Sequence, residues 1–481
     1  MCIRDRYLKY LQNSIRKCWK NMKAALHNLG CKVNSYETEA MEQMLIAAGY
    51  EIVPFCEDEK ADVYVINTCS VTNIADRKSR QMLHKAKKQN PNAIVVAAGC
   101  YVQARGDELA ADDMVDIVIG NNRKNRLVEI INDYIGNNSN NEAVVDIAKT
   151  HEYEELNIYD VCEHTRAYIK VQDGCNQFCS YCIIPYTRGR VRSRRPEDVT
   201  AEVRRLVEKG YKEFVLAGIH LSSYGIDFEA PCDEAVDYRA ANMPGSRLLE
   251  LIEAVCSVEG VKRLRLGSFE PRILTEAFVK RMAELEPVCP HFHISLQSGC
   301  DATLKRMNRR YTADEYEESC KLLRKYFPNA AITTDVIVGF PQETDEEFAI
   351  TKEYLERIHF YEMHVFKYSR RKGTAADRMD GQVPEPVKTA RSAGLLELEK
   401  RMSREYRESA LGSIQEVLFE EVAGTCDDCG TSVITGHTKT YINVHVKLPA
   451  DMSLEYINKI CNVKLEHLSD DGEWVNGTLC G

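Results

Sequence analysis

Apolar positions along this chain fall into three successive patterns. In the first part, short apolar runs bounded by polar segments, KAALHN (23–28), DVYVI (62–66) and AIVVAA (93–98), alternate with helical patterns such as 36–48 and 75–89. Short buried strands separated by helices predict a parallel sheet flanked by helices. From about residue 166, six strand patterns are each followed by helical sequence: AYIKVQ (167–172), EFVLAG (213–218), KRLRLG (262–267), FHISLQ (292–297), ITTDVIVG (332–339) and EMHVFKYS (362–369). Six such units predict an open, partial (β/α)6 version of a TIM-type barrel. A charged helix over 384–410 then leads into QEVLFEEV, TSVITGHT, TYINVHVKL, KICNVKLEHL and GEWVNGTL. Period-two runs separated by turns predict a small β-barrel. The fold class is therefore α/β with a terminal all-β module, and the expected domains are 22–148, 149–410 and 411–481. Residues 1–21 are charged throughout and lack the apolar core of a signal peptide. They are expected to be a disordered or non-native extension, with Met22 the true start.

Composition narrows the class. A length of 481 residues suits about three domains. No apolar run approaches the roughly 18 residues needed to span a membrane. A formal charge of −10 gives no global basicity of the kind that advertises nucleic acid. The 19 cysteines are an odd count, which argues against a closed disulfide framework and for a reducing cytoplasm.

Two groups of cysteines carry the chemistry. Cys175, Cys179 and Cys182 stand in DGCNQFCSYCIIPYTRGR with spacing C-x3-C-x2-C, directly after the first strand of the barrel pattern. A cubane iron–sulfur cluster normally takes four thiolates, so three leave one iron with an open position. Zinc loops instead show paired C-x2-C knuckles. Cys31, Cys69 and Cys100 each follow one of the first three strands at once. Loops at the carboxyl ends of parallel strands lie on one edge of the sheet, which predicts that these three thiols converge as a second three-thiolate site. Cys56 does not share that position. Cys426 and Cys429 form an isolated C-x2-C with no matching pair nearby, so no zinc site is assigned to them.

The C-x3-C-x2-C loop resembles the signature of the radical S-adenosylmethionine (SAM) superfamily, which implies that SAM binds at the open iron. Barrel strand ends supply candidates for its pocket: Gly218 and His220, Ser268 and Glu270, Gln297 and Ser298, with Arg309 downstream and Asp335 and Gly339 on the fifth strand. Phe178 and Tyr181 lie between the ligands and either exclude water from the cluster or simply pack. The run TRGRVRSRRPEDV holds Arg188, Arg190, Arg192, Arg194 and Arg195. These are candidates for RNA phosphate contact, the alternative being a solvated strand and helix start. The β-barrel sets four lysines, Lys439, Lys447, Lys459 and Lys464, against eleven acids, which opposes phosphate contact there.

LGCKVNSYETEAM, NTCSVT, AGCY, KVQDGCNQFCSYCIIPYTRGR, LAGIHLSSYG, ISLQSGCDATLKRMNRRYT and DVIVGFPQET together resemble the methylthiotransferase family. Members pair a cluster domain with a radical SAM domain and end in a TRAM domain. GCKVN, VQDGCN and GIH are most similar to the branch acting on N6-threonylcarbamoyladenosine of tRNA. The resemblance implies an auxiliary 4Fe–4S cluster on Cys31, Cys69 and Cys100 and a SAM cluster on Cys175, Cys179 and Cys182. One SAM would methylate sulfur and a second would yield a 5′-deoxyadenosyl radical that activates carbon 2 of adenosine 37. A flavodoxin or ferredoxin-type electron donor and a sulfur donor are implied as partners. Methylthiolation of isopentenyladenosine tRNA or of a ribosomal-protein aspartate, and a non-catalytic iron–sulfur redox protein, are the rival expectations. Residues 224–246 look like an acidic surface insertion without chemistry.

Overall fold

A computed structural model describes residues 22–137, 142–156, 158, 165–228, 245–426 and 430–480. The expected extension at 1–21, most of the insertion at 224–246 and the side chains of Cys426 and Cys429 lie outside the described residues. The chain divides into two compact units. The first takes Met1–Asp160, Asp173–Gln177 and Cys182–Arg192, the second Val161–Gln172, Phe178–Tyr181 and Ser193–Gly481.

In the first unit, β1 (Lys23–Asn28), β2 (Glu51–Ile52), β3 (Val63–Thr68), β4 (Ile94–Gly99), β5 (Ile117–Ile119) and β6 (Glu142–Ala143) form one parallel sheet in the order β2-β1-β3-β4-β5-β6. The helices are α1 (Lys32–Ala48), α2 (Asn73–Gln89), α3 (Cys100–Ala110), α4 (Leu127–Asn137) and the short α5 (Ile184–Arg188). All six residues of β3 are buried because both faces of the sheet are covered. Val63 and Val65 join Met41 and Leu45 of α1 in one core, while Tyr64 and Ile66 join Leu83 and Ala86 of α2 in the other. α2 begins where Thr72 accepts the N–H of Ala75 at 3.1 Å, and its last turn carries Lys87 and Lys88, which suit the helix dipole.

The second unit holds the barrel. β7 (Arg166–Asp173), β8 (Arg192–Ser193), β9 (Glu213–Gly218) and β10 (Arg263–Leu266) form one sheet in the order β10-β9-β7-β8. β11 (His291–His293), β12 (Ala331–Val338) and β13 (Glu362–Lys367) form another. Parallel bridges Leu264↔Val288 and Phe269↔Ile294 link the two sheets. The six expected strands are thus present in order, but the fourth is shorter than 292–297. Beyond His293 the pairing with β12 is irregular: Ile294 N–H donates to the Thr333 carbonyl at 2.9 Å, Leu296 N–H to Thr334 Oγ1 at 3.0 Å, and Gln297, at φ +74°, forms the bridge Gln297↔Val336.

α6 (Pro196–Glu208), α7 (Ser246–Cys256), α8 (Glu276–Ala283), α9 (Asp301–Arg306), α10 (Ala313–Tyr326) and α11 (Asp345–Ile358) follow their strands. α12 (Glu385–Ser409) then leads to a closed barrel of β14 (Ile414–Cys426), β15 (Thr431–Thr438), β16 (Asn443–Pro449), β18 (Val475–Leu479) and β17 (Ile460–Leu468). This small barrel seats on the amino-terminal ends of the large barrel's strands. Glu213 there accepts from Arg166 at 2.9 Å and Arg265 at 2.8 Å, with Arg263 at 3.5 Å. The arginines also donate to small-barrel groups: Arg263 to the carbonyl of His437 at 2.9 Å, Arg265 to that of Thr438 at 2.7 Å, and Arg166 to Glu420. Tyr441, held at φ +72°, lies 5.0 Å from the Arg166 guanidinium and 4.8 Å from that of Arg265. Part of the small barrel's acidity is therefore met inside the protein. The opposite, carboxyl-terminal ends of the strands are left for chemistry.

Candidate functional site

The first unit assembles its site from strand ends. Cys31 caps α1, Cys69 follows β3, and Cys100 opens α3 immediately after β4. The three thiols share one neighbourhood: burial pushes the Cys69 thiol up to about 12, and the charges of Cys100 and Cys31 push it the same way. Gly30 and Gly99 make the close approach possible. At Gly30 (φ +116°) a Cβ would stand 3.0 Å from Cys69 Cβ and 3.1 Å from its Sγ. At Gly99 (φ +96°) it would stand 2.6 Å from Asn67 Oδ1. Only glycine meets both the space and the left-handed backbone.

Around the thiols lies a dry ionic network. Arg188 is wholly buried; its Nε donates to Cys100 Sγ at 3.2 Å. Its fork grips Glu37 at 2.8 and 3.1 Å, Asp173 at 3.1 Å and Asn34 Oδ1 at 2.6 Å. Lys124 pairs with Glu37 at 3.0 Å, Arg192 stands 3.7 Å from Asp173, and Asn121 Nδ2 lies 3.6 Å from Cys100 Sγ. Burial alone would lower the Arg188 pKa, but Asp173, Cys100 and Glu37 outweigh it and raise it well above its ordinary value. Three buried cations face two carboxylates, leaving one positive charge for a thiolate to balance. This donor set fits an iron–sulfur cluster: three thiols, a cationic hydrogen-bond donor and glycine-lined room.

The arginine run needs correction. Arg188, Arg192 and Arg194 are buried, and Arg194 pairs with buried Glu202, so these three do not present themselves to phosphate. Burying a guanidinium requires a carboxylate partner, and each has one. Arg190 and Arg195 are exposed, and Arg195 lies 4.4 Å over the Phe228 ring.

Between β7 and α5 the chain carries Cys175, Cys179 and Cys182 on one loop. At Gly174 (φ +71°) a Cβ would fall 1.8 Å from the Arg190 carbonyl oxygen, and the Cys175 N–H donates to the Gly189 carbonyl at 3.0 Å. In the second unit the middle of the loop is pinned by Ser180 N–H to Met307 O at 3.0 Å and Asn308 Nδ2 to Phe178 O at 3.0 Å. Tyr181 packs in the core of Met307, Ile337, Phe340 and Tyr368. None of the described cysteines is in a disulfide.

Several expected pocket residues meet in the second unit. Glu270 stands 3.2 Å from Arg309 Nη1 and 3.5 Å from His220 Nε2, and Arg309 Nη2 donates to the Tyr181 hydroxyl at 2.8 Å. Burial would raise the Glu270 carboxyl, but His220 and Arg309 hold it down at about 2. Arg309 Nε is buried without a hydrogen-bond partner, and the guanidinium feels the charge of Cys179. A buried unpartnered guanidinium donor beside the cysteine loop suits a ligand carboxylate.

Asp335 lies 3.2 Å from His293 Nε2, and with His364 these side chains come within 4.8 Å of one another. Burial would raise the Asp335 carboxyl; His293, His364 and Arg309 lower it on balance. Other candidates lie elsewhere. Ser298 bonds Thr351 Oγ1 at 3.1 Å, Ser268 is exposed, and a Cβ at Gly339 would meet Lys388 Cγ at 2.3 Å, so Gly339 serves a left-handed turn under α12. Gly218 abuts Gln172, which also receives the His220 N–H at 2.8 Å.

Residues not anticipated are Glu37, Asn121, Lys124, His293 and His364. Asn121 follows β5 as the cysteines follow β1, β3 and β4, so the same strand-end rule reaches it once β5 is recognised.

Comparison with known proteins gives the family. Residues 23–120 match the family described as Uncharacterized protein family UPF0004, and 169–355 match the Radical SAM superfamily. The threonylcarbamoyladenosine tRNA methylthiotransferase MtaB of Bacillus subtilis strain 168 is 41% identical, covering 92% of this chain and 93% of that protein. The tRNA-2-methylthio-N(6)-dimethylallyladenosine synthase of Thermoanaerobacter sp. strain X514 is 34% identical over 93% and 90%. The radical SAM methyltransferase TsrM of Kitasatospora setae shares the fold at 13% identity, TM-score 0.53, covering 86% of this chain and 80% of that one. With full-length relatives at this identity, and with cysteines at the strand ends of both matched regions, the chain belongs to the methylthiotransferase family of radical SAM enzymes.

Proposed function

We propose that this enzyme adds a methylthio group to carbon 2 of N6-threonylcarbamoyladenosine at position 37 of tRNA, using two SAM and two 4Fe–4S clusters. The reading is supported by two sets of three cysteines, at the strand ends of the first unit and in the C-x3-C-x2-C loop, each one ligand short of a closed cubane. Cys31, Cys69 and Cys100 would hold one cluster, and Cys175, Cys179 and Cys182 the other. When bound, these groups supply a low-potential electron for cleaving SAM and an open iron that accepts sulfur.

The chain's own residues bind and orient. Arg309 offers its unpartnered Nε to a carboxylate such as the methionyl end of SAM, while Glu270 and the Tyr181 hydroxyl fix the guanidinium plane. Asp335, kept ionised, can accept from ribose hydroxyls. Gly218 and Gln297 are proposed to border the same ligand, whereas Ser268, Ser298 and Gly339 are not assigned to it. Arg188 balances thiolate charge at Cys100 without water. The substrate branch rests on the motifs GCKVN and GIH and on the higher identity to relatives named for threonylcarbamoyladenosine, 41% against 34%. No described helix is long and apolar enough to cross a membrane. A cytoplasmic setting with a flavodoxin or ferredoxin-type donor and a separate sulfur donor completes the proposal.

The test is anaerobic reconstitution followed by reaction with SAM, reductant and threonylcarbamoylated tRNA, then mass spectrometry of digested nucleosides. A methylthio nucleoside that disappears in Cys31→Ala and Cys175→Ala protein is the expected result. Deoxyadenosine without that nucleoside overturns the substrate, and neither product from fully loaded enzyme overturns the activity.

A further inference from the structure

Three of the five expected arginines are buried and only Arg190 and Arg195 of that run are exposed, so a second basic surface of this acidic chain is a candidate to hold the acceptor. α2 supplies one. It carries Arg77, Lys78, Arg80, Lys85, Lys87 and Lys88 against the single acid Asp76. Lys87 is committed to Asp116 at 2.6 Å, and Lys85 to Glu57 at 3.1 Å. Arg77, Lys78, Arg80 and Lys88 are exposed and make no ion pair among the described residues. Arg77, Arg80, His84 and Lys88 recur at helical spacing and line a groove of about 890 Å³. The acids that reach this groove, Glu57 and Asp112, are taken by Lys85 and His84. From Arg77 to Lys88 the free charge extends about 16 Å at 1.5 Å per residue.

A basic helix face is most often just solvated, and two further features set this one apart. Its amino-terminal end adjoins Cys69, with only residues 70–72 between the thiol and the helix. There Val71 and Ile74 are 52% and 56% exposed, apolar side chains in water beside the thiol site. A track that begins with apolar contact at a reactive centre and continues as unpaired cations matches an RNA strand: base at the centre, backbone running away from it.

We propose that α2, together with Val71 and Ile74, is the surface on which the tRNA backbone lies, leading the modified base to the Cys31, Cys69 and Cys100 site. The proposal rests on tRNA being the substrate. Arginine and lysine fit because each phosphate contact releases a bound counterion.

The test uses the full, cluster-loaded chain. Binding of a tRNA transcript is measured by fluorescence anisotropy over a salt series for wild type, for R77E/R80E/K88E, and for a K321E/K325E control on exposed α10. Loss of three phosphate contacts should shrink the slope of log affinity against log salt by about 2 to 3 and weaken low-salt binding at least about 10-fold. The control should keep the wild-type slope. Thermal unfolding and cluster absorbance of the triple variant should match wild type, which separates surface charge from misfolding. An Ile74→Ser variant should weaken binding with the slope intact, since it carries no charge.

An unchanged slope in the triple variant overturns the proposal. So does α2-dependent binding to anionic lipid vesicles with none to tRNA. Normal α2-dependent tRNA binding without methylthiolation would support this surface while refuting the substrate assignment.

Discussion

Arg188 distinguishes the buried network from the surface role suggested by its neighbours in sequence. Substituting Arg188→Met removes the fork shared by Glu37, Asp173 and Asn34 and the donor to Cys100. Taking one member from a buried ionic network costs about 3–5 kcal/mol, because the remaining charges stay in a dry site. Here Lys124 still holds Glu37 at 3.0 Å and Arg192 stands 3.7 Å from Asp173, so the lower end, about 3 kcal/mol, applies. For a unit of this size that is about 6–12 °C in the melting transition, at about 2–4 °C per kcal/mol.

Arg188→Lys keeps the charge but not the planar fork and should fall between. Pairing Arg188→Met with Glu37→Leu should recover part of the loss by removing a stranded carboxylate. The assay is thermal unfolding by circular dichroism, with iron per chain measured in a background where Cys175, Cys179 and Cys182 are alanine. Only the first-unit site then contributes, and Arg188→Met should lower its iron. Wild-type melting and iron with weakened tRNA binding would refute the network and restore the arginine as a phosphate contact.

Gly30→Ala should selectively lower iron at the first-unit site, because the new Cβ would press on Cys69 at 3.0 Å from a φ of +116°; iron analysis in the same background checks it. Glu213 is held at about 2 against an ordinary 4.5: burial raises it, and Arg265, Arg166 and Arg263 more than reverse that. A depressed carboxyl contributes stability in full above its unfolded value and loses it as pH falls through the folded one. The stability gap between wild type and Glu213→Gln should therefore be constant above about pH 5 and shrink between about 4.5 and 2, as denaturant titrations at several pH values would show. Tyr441→Ala deletes a ring between two guanidinium groups and should loosen the small barrel, at about 0.5–2 kcal/mol per cation–π contact. Faster proteolysis within 411–481 than in wild type is the expected reading.

The sequence made the framework legible wherever burial imposed a period. The third, fourth and sixth barrel strands are shorter than their expected ranges, the fourth most of all, and the left-handed backbone of Gln297 within that range leaves no mark on hydrophobicity. β2, β5 and β6 have two or three residues each, too few to show a period at all. The cysteines were legible for a different reason: parallel topology converts position in a strand into position in space, so Cys31, Cys69 and Cys100 could be grouped before any coordinates. The arginines could not be read this way. Arg188 and Glu37 are 151 residues apart, and nothing local distinguishes an arginine destined for a buried carboxylate from one destined for solvent.

The first-unit network and the second-unit pocket also differ in the charged groups they hold. In the first unit, Arg188, Lys124 and Arg192 outnumber Glu37 and Asp173, so a thiolate at Cys100 completes a neutral, dry cluster of charges. In the second unit, Glu270 stands between Arg309 and His220, and Arg309 Nε and His220 Nε2 are both buried without hydrogen-bond partners. Under the proposed function, the second-unit donors would serve a SAM that arrives and leaves, and the first-unit network a resident centre. That division predicts an order of sensitivity: Arg309→Lys should raise the SAM concentration needed for half-maximal deoxyadenosine release at least about 10-fold, the cost of one charge-assisted hydrogen bond, while iron content stays at the wild-type level. Loss of iron in Arg309→Lys with an unchanged SAM requirement would reverse the assignment of the two sites.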